Sequence, residues 1–296
     1  MKPSEPQTVQ SEAQLPAPAK PTDWLRITAW VLLICGSIIL LMPFAWMVKS
    51  SLSTEQVVQS GEVWVGFGQG GPQWENYPDS LARMDFLNAL ANTVFITFFS
   101  IVGMVLSSSL VGFGFARFRF RGRKPLFILM LSTMMLPPQV TMIPVFVLWR
   151  YLGVIDTFWP LVLPMCLAGP FFVFMFRQFF SQIPEDLVEA ARIDGASNMR
   201  IYFQLMLPLS KPVIAITAIY TFMGVWNDFL GPLIYLNSPE KNTLALALNA
   251  FRGQYGISDA HLLMAASFVC MFPCVVLFFA AQRYFIEGVS TSGMKG

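Results

Sequence analysis

Charge is what this chain has least of. Only 12% of its 296 residues are charged, 55% are hydrophobic, and the mean hydropathy is +0.58. A composition this apolar excludes an ordinary soluble domain. The length would allow two soluble domains, but the apolar runs argue for one membrane domain. Histidine occurs once, at His261, which leaves histidine-cluster metal chemistry without material. His261 also sits at a span edge with no metal cluster beside it, so an intramembrane enzyme is a poor reading. The four cysteines, Cys35, Cys166, Cys270 and Cys274, all lie inside apolar runs, against a secreted disulfide framework. Cys270 and Cys274 share a helix face and read as packing residues. A net charge of +2 suggests no nucleic-acid partner. A phosphate-binding loop is missing as well. The nearest attempt begins at Gly288 and reaches Gly293-Met294-Lys295, where Met294 displaces the lysine and no Ser or Thr follows. This chain should bind no ATP through such a loop.

What is present is a series of long apolar runs. Residues 1–22 form a Pro-, Gln-, Ser- and Ala-rich tail, expected to be disordered and cytosolic. The run after it, Ile27 to Val48, is too long for a cleavable signal and is flanked by Trp24 and Trp46 as interface anchors. Further runs go from Phe86 to Phe115, Pro125 to Trp149, Phe158 to Phe180, Pro212 to Leu236 and Leu262 to Phe285. The expectation is an all-α membrane protein whose membrane domain, residues 23–287, holds six transmembrane helices. Residues 288–296 would be a second tail.

Lys and Arg set the orientation. Arg117, Arg119, Arg121, Arg123 and Lys124 crowd the link between spans two and three, and Arg177, Arg192, Arg200 and Lys211 surround the link between spans four and five. With the tails, fourteen of the nineteen basic residues fall on one side. The positive-inside rule places that side, and both termini, in the cytoplasm. Topology alone accounts for the Arg run, although contact with lipid headgroups is the functional alternative.

The spans are interrupted by Pro137, Pro138, Pro144, Pro160, Pro164, Pro170, Pro232 and Pro273. Each proline removes a donor and frees a carbonyl, tolerable only where protein or water supplies a partner. Asp228 is the one carboxylate well inside a span, and an ionisable group at that depth is a functional candidate by default. With Trp226, Asn227 and Pro232 it could offer stacking and hydrogen bonds to a hydroxyl-rich ligand. Equally, Asn227 and Asp228 could satisfy the broken helix. Asn88 and Asn92, one turn apart, make a weaker polar face at the outer end of span two.

The polar island 181–211 organises the rest. Pro184 suits a first helical position, Glu185 and Asp186 complement the helix dipole, Gly195 can take a left-handed cap, and Ser197 can start a second helix. The product is a compact helix-turn-helix knob between spans four and five. Its spaced pattern, Glu189-Ala190-Ala191, then Gly195, then Leu205, Leu207 and Pro208, resembles the cytoplasmic coupling loop of ATP-binding-cassette importer permeases. Leu205 stands where that family more often has Ile. Asn76-Tyr77, Leu136-Pro137-Pro138, Trp226-Asn227-Asp228 and the ending Gly293-Met294-Lys295-Gly296 are similar to the carbohydrate branch, nearest the smaller permease of maltose-type systems.

That resemblance implies a permease subunit of an ATP-driven sugar or oligosaccharide importer in a bacterial or archaeal cytoplasmic (inner) membrane. Its implied partners are a second, related permease, two copies of an ATP-binding subunit and an extracytoplasmic sugar-binding protein. ATP and Mg would be bound by the ATPase subunits; this chain would bind no cofactor and no metal. Glu189 and Asp194 would make polar contacts at the ATPase, with Arg192 in the same coupling set, while Ala190, Ala191 and Gly195 permit close approach. The tail from Gly293 through Met294 and Lys295 to Gly296 would enter the ATPase dimer interface. The rival reading is a proton- or sodium-driven secondary transporter using Asp228 as its coupling carboxylate, for which inverted repeats and more buried ionisable groups would be needed.

Overall fold

The computed structural model describes residues 23–61, 66–68, 70–251 and 259–293. The N-terminal tail and Met294, Lys295 and Gly296 therefore lie outside the described residues. Among those described there is no β-strand. Fifteen α-helices follow one another: α1 Asp23–Ser51, α2 Glu55–Ser60, α3 Asn76–Arg83, α4 Phe86–Arg117, α5 Arg123–Ser132, α6 Pro138–Tyr151, α7 Trp159–Val162, α8 Pro170–Gln182, α9 Glu185–Ile193, α10 Asn198–Ile201, α11 Leu207–Leu209, α12 Lys211–Trp226, α13 Leu230–Tyr235, α14 Leu244–Ala247 and α15 Ala260–Gly293. The chain divides into two compact units, one ending at Trp46 and one starting at Met47. The first is helical throughout its described part, with Trp24, Ile39 and Leu40 among its exposed side chains.

Among the described residues four helices are long and apolar enough to cross a membrane: Arg26–Ser51, Phe86–Arg117, Trp159–Gln182 and Ala260–Gln282. Two bent pairs raise the number to as many as six. Arg123–Met135 meets Pro138–Tyr151 at 97°, and Asn198–Leu209 meets Lys211–Trp226 at 77°. The interruptions expected at the prolines of the third and fifth runs are present. The third run is not a single rod, because Pro137 and Pro138 remove consecutive donors and Leu136 turns extended. The fifth stops at Trp226 and resumes as α13, because Pro232 cannot donate to the carbonyl of Asp228. At the other end, α15 continues to Gly293, past the boundary expected at 287.

Within the second unit α4 is the central element. Ala89, Thr93, Ile96, Ser100, Met104, Ser108 and Gly112 recur at helical spacing and are all buried, forming one stripe of mostly small residues. Such a stripe lets backbones approach, and α8 and α12 pack along α4. At Gly112 an added Cβ would lie 2.7 Å from Phe176 Cβ, so only glycine fits that crossing.

The stripe also repairs a broken neighbour. Between α7 and α8 the chain is 3-10 over Leu163–Leu167 and then leaves the helix at Ala168. The freed amides of Ala168 and Gly169 donate to Ser107 Oγ and Ser108 Oγ of α4, each at 3.1 Å. At this break, side chains of α4 supply partners for the amides that leave the helix.

Candidate functional site

The knob forms as its local chemistry dictates. Helix α9 starts at Glu185 with Pro184 in the capping position, one residue earlier than a first-turn proline would sit. It ends in a Schellman arrangement: the Gly195 amide donates to Arg192 O at 3.0 Å and the Ala196 amide to Ala191 O at 2.9 Å. Gly195 has φ +77°, and nothing lies within 4 Å of where its Cβ would be. Glycine is therefore needed for the turn, not for a close neighbour. Ser197 caps α10 by accepting from the Arg200 amide. A π turn over Tyr202–Met206, unsignalled by the sequence, follows and carries Leu205 of the spaced pattern.

The knob is fastened to the core from beneath. Val188, Ile201, Tyr202 and Met206 are buried with Val105, Phe113, Phe176, Phe180 and Val213. Ala191, Leu205 and Leu207 pack against the same cluster. The Tyr202 hydroxyl meets Ser109 Oγ of α4 at 2.6 Å. Arg117, at the end of α4, has its side chain only 6% exposed; it pairs with Glu185 at 2.6 Å and donates to the carbonyls of Phe180 and Ile183. The guanidinium thus closes the C-terminal end of α8 and the N-terminal end of α9 together.

The outward face carries the remaining pattern residues. Glu189, Ala190, Arg192, Asp194, Gly195 and Pro208 are exposed. Arg192 lies 3.7 Å from Glu185, whereas Glu189 and Asp194 form no ion pair among the described residues. Beside them Leu187, Met199, Phe203 and above all Ile193, 86% exposed, stand out as apolar groups. Sequence reading missed these four. The signal was available: α9 has apolar residues beyond what one buried position, Val188, can use.

At the far end of the second unit, the polar residues of spans two and five have internal partners. Asn88 and Asn92 donate to the carbonyl of Glu240, and Asn92 also to that of Asn242. Trp226 is buried, donates to Cys270 O and stacks on Phe222. Asn227 donates to Met223 O, and Asp228 accepts from the Gly231 amide at 3.0 Å. Pro232 is buried. The broken helix thus uses Asn227 and Asp228 for its own repair, the second of the two readings open from sequence.

A cluster that sequence reading overlooked sits in the link between α6 and α7. Asp156 accepts from the amides of Asn237 and Ser238, from the Ser238 hydroxyl and from Lys241 Nζ. The Ser238 hydroxyl first, then Lys241 and the two amides, hold its carboxyl well below the usual carboxylate range. No local pattern announces such a clasp, because its halves are 81 to 85 residues apart.

The long apolar helices define a multi-pass membrane protein, and the knob is an exposed helical hairpin on one of its links. The chain belongs to the family described as binding-protein-dependent transport system inner membrane component, which matches residues 104–291. It is 39% identical over 205 residues to the arabinooligosaccharides transport system permease protein AraQ of Halalkalibacterium halodurans, covering 69% of this chain and 73% of that one. The melibiose/raffinose/stachyose import permease protein MelC of Bacillus subtilis is 35% identical, over 75% of this chain and 81% of its own. In fold, the chain matches a crystal structure of a bacterial ABC transporter involved in the import of the acidic polysaccharide alginate. That match has a TM-score of 0.79 and 23% identity, covering 92% of this chain and 100% of the other.

Proposed function

We propose that this chain is one of two related permease subunits of an ATP-driven importer for a sugar or oligosaccharide, with six spans and both termini in the cytoplasm. The observation that carries this reading is the knob, exposed at Glu189 to Gly195 and buried beneath at Val188, Tyr202 and Met206. A body so fastened moves the spans under it as a unit. Closure of two ATP-binding subunits against Ile193, Glu189 and Asp194 would rock α4, α8 and α12 together, switching access from outside to inside. ATP and Mg belong to those subunits. A sugar-binding protein delivers ligand at the other end, where the clasp at Asp156 and the amides of Asn88 and Asn92 hold the segment 237–244 in place. Trp226, Asn227, Asp228 and Pro232 shape the path through the break they repair. Relatives that carry arabino-oligosaccharides and melibiose-type sugars support the substrate class. An ion-driven carrier would use Asp228 to load and release its ion, but Asp228 Oδ1 already accepts from the Gly231 amide in the first turn of α13. Vesicles with ATP inside and ion gradients collapsed should still take up sugar when the binding protein is supplied. Uptake that follows the ion gradient and ignores ATP would refute the reading.

A further inference from the structure

Arg177 is a cation without a protein counter-ion inside a candidate span. It lies rather more than one turn short of the span's end at Gln182. Its guanidinium stacks over the Phe127 ring at 4.1 Å, which fixes its plane. Its Nε is buried with no partner, and among the described residues the guanidinium donates to no protein acceptor and joins no ion pair. An arginine at that depth is costly unless something else answers its charge. Orientation by basic residues needs charges in the link, not one stacked within the span.

A second cation stands beside it. Arg123 is one turn before Phe127 on the same face of α5, close enough for the two charges to act on one another. Its own bonds, to the carbonyls of Ala116 and Phe118, are long at 3.4 Å each. Arg119, Arg121 and Lys124 are exposed nearby and form no ion pair among the described residues. No Asp or Glu occurs between Arg117 and Ile155, and Glu185, at the base of the knob, already serves Arg117 and Arg192. Toward the middle of the span the same surface turns apolar. Phe127 stacks with Phe174 at 6.4 Å, and Phe174 and Phe171 are exposed one turn and nearly two turns deeper than Arg177. An anion with a long apolar tail answers both halves of this surface, whereas a free anion answers only the first.

We propose that the face shared by the start of α5 and the end of α8 binds an anionic phospholipid of the leaflet on the knob's side, its phosphate between Arg123 and Arg177 and an acyl chain along Phe174 and Phe171. The planar guanidinium groups match phosphate oxygens pairwise, which a lysine ammonium does not. The inference needs α5 and α8 to lie in a membrane, and it does not need the importer reading.

The test uses the full chain, purified in a neutral detergent and titrated with phosphatidylglycerol, phosphatidylcholine or inorganic phosphate, with native mass spectrometry reading the bound lipid. The expected result is phosphatidylglycerol held roughly tenfold more tightly than phosphatidylcholine, equivalent to about 1.4 kcal/mol. Arg123→Gln and Arg177→Gln should each erase most of that preference, Arg177→Lys should keep part of it, and Phe174→Ser should weaken both lipids. Arg150→Gln, which removes an exposed charge near the end of α6, should change nothing. If R177Q fails to fold, R123Q decides, because Arg123 contributes only its two long bonds to α4. Inorganic phosphate in excess should not displace the lipid. Equal retention of the two lipids, or displacement by phosphate, overturns the inference. So does a preference that R123Q and R177Q leave intact, or that R150Q removes as well. None of these outcomes bears on ATP-driven uptake, so the importer reading stands or falls separately.

Discussion

Asp156 and Lys241, 85 residues apart in the chain, meet at 2.9 Å and join the link before the fourth span to the segment after the fifth. The same carboxylate takes the amides of Asn237 and Ser238, so one side chain holds a whole turn of the opposite link.

Asp156→Ala should therefore loosen the segment from Asn237 to Leu244, raising KM for uptake driven by the binding protein more than it lowers maximal turnover. Asp156→Asn keeps one oxygen for the amides and should fall between. The pH dependence has a definite sign. The folded carboxyl titrates below its unfolded value of about 3.9, so its contribution is complete above that value and fades as pH falls through the folded one. Uptake between pH 5 and 8 should show no step from this group, and a D156N variant should show the wild-type pH profile over that range. A D156N profile that differs in shape would contradict the assignment.

Arg117→Ala removes the donor that two carbonyls, Phe180 O and Ile183 O, share beneath the knob. With the side chain nearly buried, about 2 to 4 kcal/mol should be lost, by the scale of hydrogen bonds to charged groups. Arg117→Lys should recover only part, since an ammonium cannot span both carbonyls and Glu185 in one plane. Glu185→Gln, at an exposed carboxylate, should cost about 1 kcal/mol or less. Thermal unfolding of the three variants in one detergent ranks them.

Gly112 and Gly114 make a matched pair on α4. At Gly112 a Cβ would press on Phe176 and the Arg177 amide, and at Gly114 it would meet nothing within 4 Å. Gly112→Ala should destabilise by about 1 to 3 kcal/mol through overpacking. Gly114→Ala should be neutral or stabilise by up to about 1 kcal/mol, the helix cost of glycine. Equal effects of the two would mean that α4 and α8 do not approach as described.

How much of this was legible beforehand follows the range of the forces involved. Apolar length marks four of the runs as long helices, and the other two came out as bent pairs; the cap at Gly195 and the start at Ser197 depend on neighbours a few residues away and came out as read. The prolines at 137, 138 and 232 announced breaks, but the 97° bend of the third span depends on what α5 and α6 pack against. Asp156 was passed over because its partners are distant in sequence. Asp228 drew attention for its depth, and only the fold revealed that its oxygen is occupied by Gly231. Cys270 and Cys274 read as packing residues, and Cys270 is buried beside Trp226 with Cys274 packed against the same cluster.

The last prediction concerns Gly195. Its φ of +77° is costly for a residue with a Cβ, yet the surrounding space is open. Gly195→Ala should cost about 1 to 2 kcal/mol for the left-handed backbone alone. Gly195→Asn should cost less, because a short amide side chain tolerates that conformation. Gly195→Asp has nearly the same shape as the Asn variant but sets a second carboxylate beside Asp194 on the face proposed to meet the ATPase. If that face is the contact, G195D should insert in the membrane as well as G195N does and yet lose more ATPase stimulation and uptake than G195N. Comparing the two isosteric variants in purified complexes separates backbone strain from charge at the interface. Normal uptake and stimulation in a well-expressed G195D complex would remove the knob from the coupling contact.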